Sequence, residues 1–409
     1  MTIHELAQEV VSNTIGMGIL PCTAWTEHAK FFAPIIKLHD AQGKEEFDRE
    51  IITSYVEEAG NRVDRGEIKP SYYRALLRGA ERLTEMHDTG KLEWTGPKYP
   101  SKFKLNEYYE KIMREFLSSG NFSAKGQSDA MWVCRKYFSW LLLEGNTSLN
   151  DVGATEVQRF MIYCCKHMKS SSVYDVKLYM KKLYYFLKEN AYSTDDYSGL
   201  LSFRVSRESK LYPPASPDEV SAILDVIDRR IPRGKRDYAI IMLGVTTGLR
   251  AVDIARLRLQ DIDWINGEIK IVQAKTGMPL ALPLTTDVGA AIKDYILKGR
   301  QQTDSEAVFL RLHVPYKGFA NGVGIGDMFD SYRKKANLPR NAFDGKGFHS
   351  LRRAVGRNMV TSGVSINTVA QVLGDRNIDS TKKYISLDSR HLKECALDFS
   401  VTGFRRAAK

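Results

Sequence analysis

The chain has 409 residues, too many for one compact core, and its length alone suggests two or three domains. Its 43% hydrophobic content is ordinary for a globular protein; no stretch is long and apolar enough to span a bilayer, and Met1 to Val11 carries Glu5 and Glu9 rather than a basic then apolar leader, so a membrane role and export are disfavoured and the cytoplasm is expected. A net charge of +11 makes a polyanion the leading partner, because neutralised phosphates release counterions, although charge alone also suits a merely basic enzyme.

Residues 1–90 read as helical. Trp25, Phe31, Phe32, Ile35 and Ile36 recur at helical spacing, and Ser71-Tyr72-Tyr73 opens a later helix toward Leu83. Residues 91–105 break the pattern with Pro97 and Pro100 among Lys91, Lys98, Lys102 and Lys104, the composition of a basic linker or of a solvated loop. A second helical block over 106–203 takes its core from Met131, Trp132, Tyr137, Phe138 and Leu141 to Leu143. Ser71-x-Tyr73-x-x-x-Leu77 is echoed by Ser172-x-Tyr174-x-x-x-Leu178, which suggests a duplicated helical domain. The helix from Ser172 to Lys188 sets Lys177, Lys181, Lys182 and Lys188 among Tyr174, Tyr179, Tyr184 and Tyr185. Lysines meet phosphates and a helix fits the major groove, so this is the candidate groove-facing helix; a solvated lysine face over a tyrosine-rich core would look the same. The irregular, basic segment 204–215, with Arg204, Arg207 and Lys210, reads as a second linker. Then Ser216-Pro217-Asp218-Glu219 carries the signature of a helix start. The cysteines (Cys22, Cys134, Cys164, Cys165, Cys395) are odd in number with no C-x-x-C pair, which favours buried thiols over disulfides or zinc.

Residues 216–399 hold the candidate chemistry. Arg250 follows Gly248, and Asp253 is placed on the same helical face, where a carboxylate could orient the guanidinium. Trp264-Ile265, then Asn266-Gly267, then Glu268 to Gln273 reads as a β-hairpin with a tight turn, and Ala274-Lys275-Thr276-Gly277 as a further turn into a strand from Leu280 to Leu284. Lys275 falls at a hairpin tip. Phe348 to Thr361 is an amphipathic helix with His349 and Arg352 at i and i+3, Gly363 ends it, Ser365 caps the next helix and Ser380 a last one bearing Tyr384. Two arginines, a lysine, a histidine and a tyrosine, each at an element end, are what cutting a phosphodiester with a side chain would require. No paired carboxylate and histidine cluster invites a metal, and no cofactor is expected.

In the strings Thr247-Gly248-Leu249-Arg250, His349-Ser350-Leu351-Arg352-Arg353, Val372-Leu373-Gly374 and Ser380-Thr381-Lys382-Lys383-Tyr384, the chain from about Ser216 to Phe399 resembles the catalytic domain of the tyrosine recombinase, or phage integrase, family, and especially integrases and transposases of bacterial mobile elements. The resemblance implies a mainly α fold with a small antiparallel β-sheet in the catalytic domain (α+β), preceded by helical SAM-like DNA-binding domains. It makes 106–203 a core-binding domain and leaves 1–90 as an arm-type or additional core-binding domain. It also implies roles: Tyr384 attacks the scissile phosphate to form a 3′-phosphotyrosyl link, Arg250 and Arg352 clamp the non-bridging oxygens, Lys275 protonates the departing 5′-oxygen, and His349 accepts or orients the tyrosine proton.

One position departs from the family. Where members place histidine or tryptophan after Leu-Gly, this chain has Asp375. Three accounts stand side by side: Asp375 is protonated beside the phosphate, Arg376 or Asn377 supplies the missing donor, or catalysis is slowed. The implied partners are double-stranded DNA with specific recombination sites, a homo-tetramer on that DNA whose C-terminal tail (400–409, with the segment from His391) docks in trans, and accessory bending or directionality factors. Two alternatives remain, a type IB topoisomerase-like enzyme and a catalytically impaired DNA-binding regulator.

Overall fold

A computed structural model describes residues 1–94, 103–193, 195–205, 211–339, 341, 344–375, 381 and 384. They separate into two compact units, one drawn from 1–96 together with 211–409, the other from 97–210.

The first unit begins with five helices: α1 (Ile3–Gly16), α2 (Pro21–Glu27), α3 (Ala33–Ala41), α4 (Arg49–Asp64) and α5 (Pro70–Thr89), with a π-helical turn over His28–Phe32 joining α2 to α3. Helix α1 starts at a capping box in which Thr2 and Glu5 satisfy each other's backbone N–H. Its stripe of Ile3, Leu6, Ala7, Val10 and Val11 packs with Phe32, Ile35, Leu83 and Met86 into a core of its own. Trp25 does not join that core. It is half exposed, because short α2 buries only Ala24.

The second unit is a helical bundle, α6 (Glu107–Ser119), α7 (Ala124–Leu143), α8 (Ala154–His167) and α9 (Ser170–Glu189). The buried stripe of α7 runs through Ala130, Val133, Cys134, Tyr137, Phe138 and Leu141. Met131, Trp132 and Leu143 lie off that stripe and are exposed, so they do not supply the core as the sequence suggested. The repeat echo also parts company here: Leu77 is buried whereas Leu178 is exposed, so the matched leucines do different work. The thiols divide as well. Cys134 and Cys164 are buried, but Cys22 and Cys165 are exposed because they sit on the outer faces of α2 and α8; Cys395 lies outside the described residues.

The chain then returns to the first unit with α10 (Pro217–Asp225), α11 (Pro232–Thr247), α12 (Ala251–Ala255), strands β1 (Ile262–Asp263), β2 (Glu268–Val272) and β3 (Pro279–Pro283), and helices α13 (Thr286–Lys298), α14 (Val323–Lys335), α15 (His349–Thr361) and α16 (Ile366–Leu373). Ser216 caps α10 as expected: Glu219 N–H donates to Ser216 Oγ, and Ser216 N–H to the Glu219 carboxylate, each at 3.1 Å. The three strands form one antiparallel sheet in the order β1-β2-β3. Its register pairs Ile269 with Leu282 and Ile271 with Leu280, so β2 turns Ile269 and Ile271 inward and Lys270 outward. Trp264 and Ile265 belong to the connecting turn and not to β1. Ile265 is 95% exposed, and Asp263 caps the turn by accepting from Asn266 N–H at 3.0 Å, which ends the strand. Among the described residues no helix is long and apolar enough to cross a membrane.

Candidate active site

Three segments far apart in the chain meet at one place. The first is the turn between α11 and α12. Gly248 leaves α11 in the left-handed region (φ +65°), and a Cβ there would stand 3.0 Å from Leu373 and 3.2 Å from Val355. That close approach lets α15 and α16 pack against the turn. Arg250 follows as the N-cap residue of α12.

The second segment is the tip of the β2–β3 hairpin. Gln273 continues the inward register of Ile269 and Ile271, and its side chain is buried, with only 1% exposure. Ala274 N–H donates to Asp253 Oδ1 at 2.8 Å, which ties the tip to α12. Asp253 therefore holds the hairpin first; its other oxygen stands 4.0 Å from Arg250, beyond hydrogen-bond reach.

The third is the end of α16. Gly374 also adopts the left-handed conformation (φ +62°), and Asp375 N–H turns back to the Ala370 carbonyl at 2.8 Å. This geometry frees the Leu373 carbonyl, one of the acceptors every helix end leaves unmatched, and two side chains take it: Arg352 Nη2 at 2.7 Å and Gln273 Nε2 at 3.0 Å. Arg352 also donates through Nη1 to the Gly248 carbonyl at 3.0 Å. One arginine thus links the α11 turn to the end of α16.

At the centre both guanidinium groups converge on a single oxygen. Arg250 Nη2 lies 2.7 Å, and Arg352 Nη2 2.9 Å, from Oδ1 of Asp375, while the hydroxyl of Thr381 donates to the other carboxylate oxygen at 3.3 Å. Burial, then the proximity of Arg352, pulls the Arg250 pKa below its ordinary value, with Asp375 opposing. Tyr384 is fully buried beside this cluster, among Val369, Leu373 and Val355, with its ring against Gly356. Burial pushes the phenol above its ordinary range; Arg352 opposes that shift and Asp375 adds to it. The shift favours the neutral form of the phenol.

The structure brings Arg250, Asp253, Arg352, Asp375 and Tyr384 together. Two expected residues stay at the margin. Lys275 is exposed at the hairpin tip and forms no ion pair among the described residues, and His349, the first residue of α15, is exposed while Arg352 on the same helix is buried. Arg376, Asn377 and Ser380 lie outside the described residues. Three contributors were missed from sequence: Gln273, Thr381 and Gly356. Gln273 carried a signal, a polar side chain at an inward position of a strand that otherwise alternates cleanly.

Of the candidate DNA contacts in the second unit, Lys177 donates to the Phe203 carbonyl at 2.7 Å and lies over the rings of Tyr174 and Phe203. Lys181 lies over Tyr185, and Lys182 over Phe122 and Tyr179. Arg204 is exposed; Arg207 and Lys210 fall outside the described residues.

Residues 215–391 match the model of the phage integrase family. A Sinorhizobium fredii protein named integrase/recombinase y4gC is 33% identical over 190 residues, which cover 45% of this chain and 94% of that protein. The chain belongs to the phage integrase family. A second protein of that organism, named integrase/recombinase y4rA, is 32% identical over 271 residues, 65% of this chain and 64% of the relative, and a third, y4rF, matches over 45% of its length, so the chain spans only part of those relatives. The tyrosine recombinase XerC of Oceanobacillus iheyensis is 24% identical over 266 residues, 63% of this chain and 84% of that one. Among solved structures, a lambda integrase dimer bound to a COC′ core site superposes with a TM-score of 0.54 at 16% identity, covering 70% of this chain and 97% of that one. XerH recombinase bound to a palindromic difH substrate gives 0.55 at 15% identity, covering 70% and 83%. These likenesses establish the fold, a mainly helical chain with the small antiparallel sheet of tyrosine recombinase catalytic domains.

Proposed function

We propose that this integrase-family chain is a site-specific DNA recombinase that cuts and rejoins DNA through Tyr384. One observation carries the reading: two guanidinium groups, one buried and one largely buried, brought from distant segments, aim at one carboxylate oxygen beside a buried tyrosine. A non-bridging phosphate oxygen has the same charge and acceptor chemistry as the carboxylate oxygen now there.

In the proposed step Tyr384 Oη attacks phosphorus and the bond from phosphorus to the 5′-oxygen breaks. The phenol proton passes to His349 and Lys275 delivers one to the departing oxygen, leaving a 3′-phosphotyrosyl link and a 5′-hydroxyl. Reversal on a second strand rejoins DNA, and because one phosphoester replaces another, no ATP or metal has to be consumed. Arg250 and Arg352 neutralise charge that builds up in the transition state, with Asp253 holding the hairpin that presents Lys275. Asp375 acts in this reading as an internal anion that the scissile phosphate displaces, and not as a substitute donor.

The wider reading follows the family. The segments 106–203 and 216–399 bind DNA as the core-binding and catalytic domains, with 1–90 as an arm-type or additional core-binding domain, linkers at 91–105 and 204–215, and Lys177, Lys181, Lys182, Arg204, Arg207 and Lys210 meeting the backbone. Four copies assemble on two duplexes in the cytoplasm, with the tail in trans and accessory factors setting direction, to integrate or excise a mobile element. The test is covalent trapping on a nicked suicide duplex. Wild-type protein should form an adduct stable to denaturant and Tyr384→Phe should not; absence of an adduct with DNA bound would favour a non-catalytic regulator. Relaxation of a supercoiled plasmid lacking a recognition site would instead indicate topoisomerase chemistry.

A further inference from the structure

We propose that Gln273 is a positioning residue that aims Arg250 at the scissile phosphate, an inference that rests on the recombinase reading above. Its carboxamide joins three parts of the site. Oε1 accepts from Arg250 Nη1 at 2.7 Å and from the Thr276 hydroxyl at 2.9 Å, while Nε2 donates to the Leu373 carbonyl at 3.0 Å, the same carbonyl that Arg352 Nη2 binds at 2.7 Å. The amide is thereby held between the two arginines without contacting the anion between them.

Its own backbone closes the turn that carries Lys275. Gln273 N–H donates to the Met278 carbonyl at 3.0 Å, and Gly277 N–H to the Gln273 carbonyl at 2.8 Å. The fit is tight on the far side, since a Cβ on Gly374 would fall 2.4 Å from Gln273 Oε1. Nearby Asp253 does not compete for the guanidinium. Its Oδ2, although buried, has no hydrogen-bond partner among the described residues and stands 4.0 Å from Arg250. Gln273 is therefore the side chain that fixes Nη1 of Arg250 and leaves Nη2 pointing at the anion. An amide suits this task better than a carboxylate, because it orients the guanidinium without cancelling its charge and donates a bond in the other direction.

The test compares Gln273→Met and Gln273→Asn with wild type on nicked duplexes whose scissile linkage is a phosphodiester or a neutral methylphosphonate. Asparagine keeps the amide but withdraws it by a methylene, so it breaks the bridge even if the methionine variant folds poorly. On the phosphodiester, cleavage should fall roughly 10- to 100-fold at unchanged DNA affinity, as misaiming a donor does. On the methylphosphonate, which places no charge before Arg250, the loss should shrink to within about threefold of wild type. An equal loss on both substrates overturns the positioning role while leaving the recombinase reading intact, as does a variant as fast as wild type. Failure of the wild type to cleave either duplex overturns both.

Discussion

Asp375→Asn tests how the arginine pair is kept before DNA arrives. The carboxylate accepts charge-assisted bonds from Arg250 at 2.7 Å and Arg352 at 2.9 Å, at side chains only 14% and 2% exposed, so solvent screens the contact weakly. A phosphate that takes that place must break both. Bonds to a charged group are worth about 1.5–3 kcal/mol each; with an amide of the same shape the guanidinium stays charged but its acceptor becomes neutral, which moves each bond from the upper toward the lower end of that range and lowers the displacement cost by about 1 kcal/mol per bond, or about 2 kcal/mol in total. At about 1.4 kcal/mol per tenfold, single-turnover cleavage of a nicked suicide duplex should rise roughly thirtyfold. The resting protein should melt lower, because two guanidinium groups lose their counter-charge, and sulfate should restore the melting temperature more in the variant than in wild type. Cleavage that is unchanged or slower, with DNA affinity retained, would refute the view of Asp375 as a competitor and give it a part in the chemistry.

Two further outcomes are expected. Gly356→Ala places a methyl 2.9 Å from the Tyr384 ring, so the tyrosine must shift although alanine favours the helix by about 1 kcal/mol; covalent trapping should drop at least tenfold with little loss of thermal stability, and full trapping would count against the observed seat of the ring. In the second unit, Tyr137 and Tyr184 share a hydrogen bond of 2.5 Å, and burial pushes both phenols up. Raised folded values stabilise the neutral forms, so this contribution is whole below the ordinary tyrosine value of about 10 and is lost as pH rises through the folded values. Urea unfolding of the full chain from neutral to alkaline pH should show that fall, and Tyr137→Phe with Tyr184→Phe should flatten it; an unaltered slope in the double variant would contradict the assignment.

Local rules made much of this protein legible in its sequence. The serine, proline and glutamate at the start of α10, the glycine-ended helices and the hairpin around Asn266-Gly267 depend on interactions over a few residues, which side-chain type and spacing determine. That Arg250, Arg352 and Tyr384 would share one site was an expectation of the same kind, and the structure brings these three together while leaving His349 at the margin. The limits were equally physical. Helical period alone could not decide which stripe faces inward, so Met131, Trp132 and Leu143 were assigned to a core they do not enter. What only the tertiary structure decided is the wiring of the site. The bonds from Arg250 to Asp375, from Gln273 to Leu373 and from Arg352 to Gly248 span 125, 100 and 104 residues. They exist because Gly248 lets Leu373 and Val355 close onto the α11 turn, bringing a helix end, a hairpin tip and a buried arginine within reach of one another. Residue type placed a carboxyl group at position 375, and packing decided that both arginines would hold it.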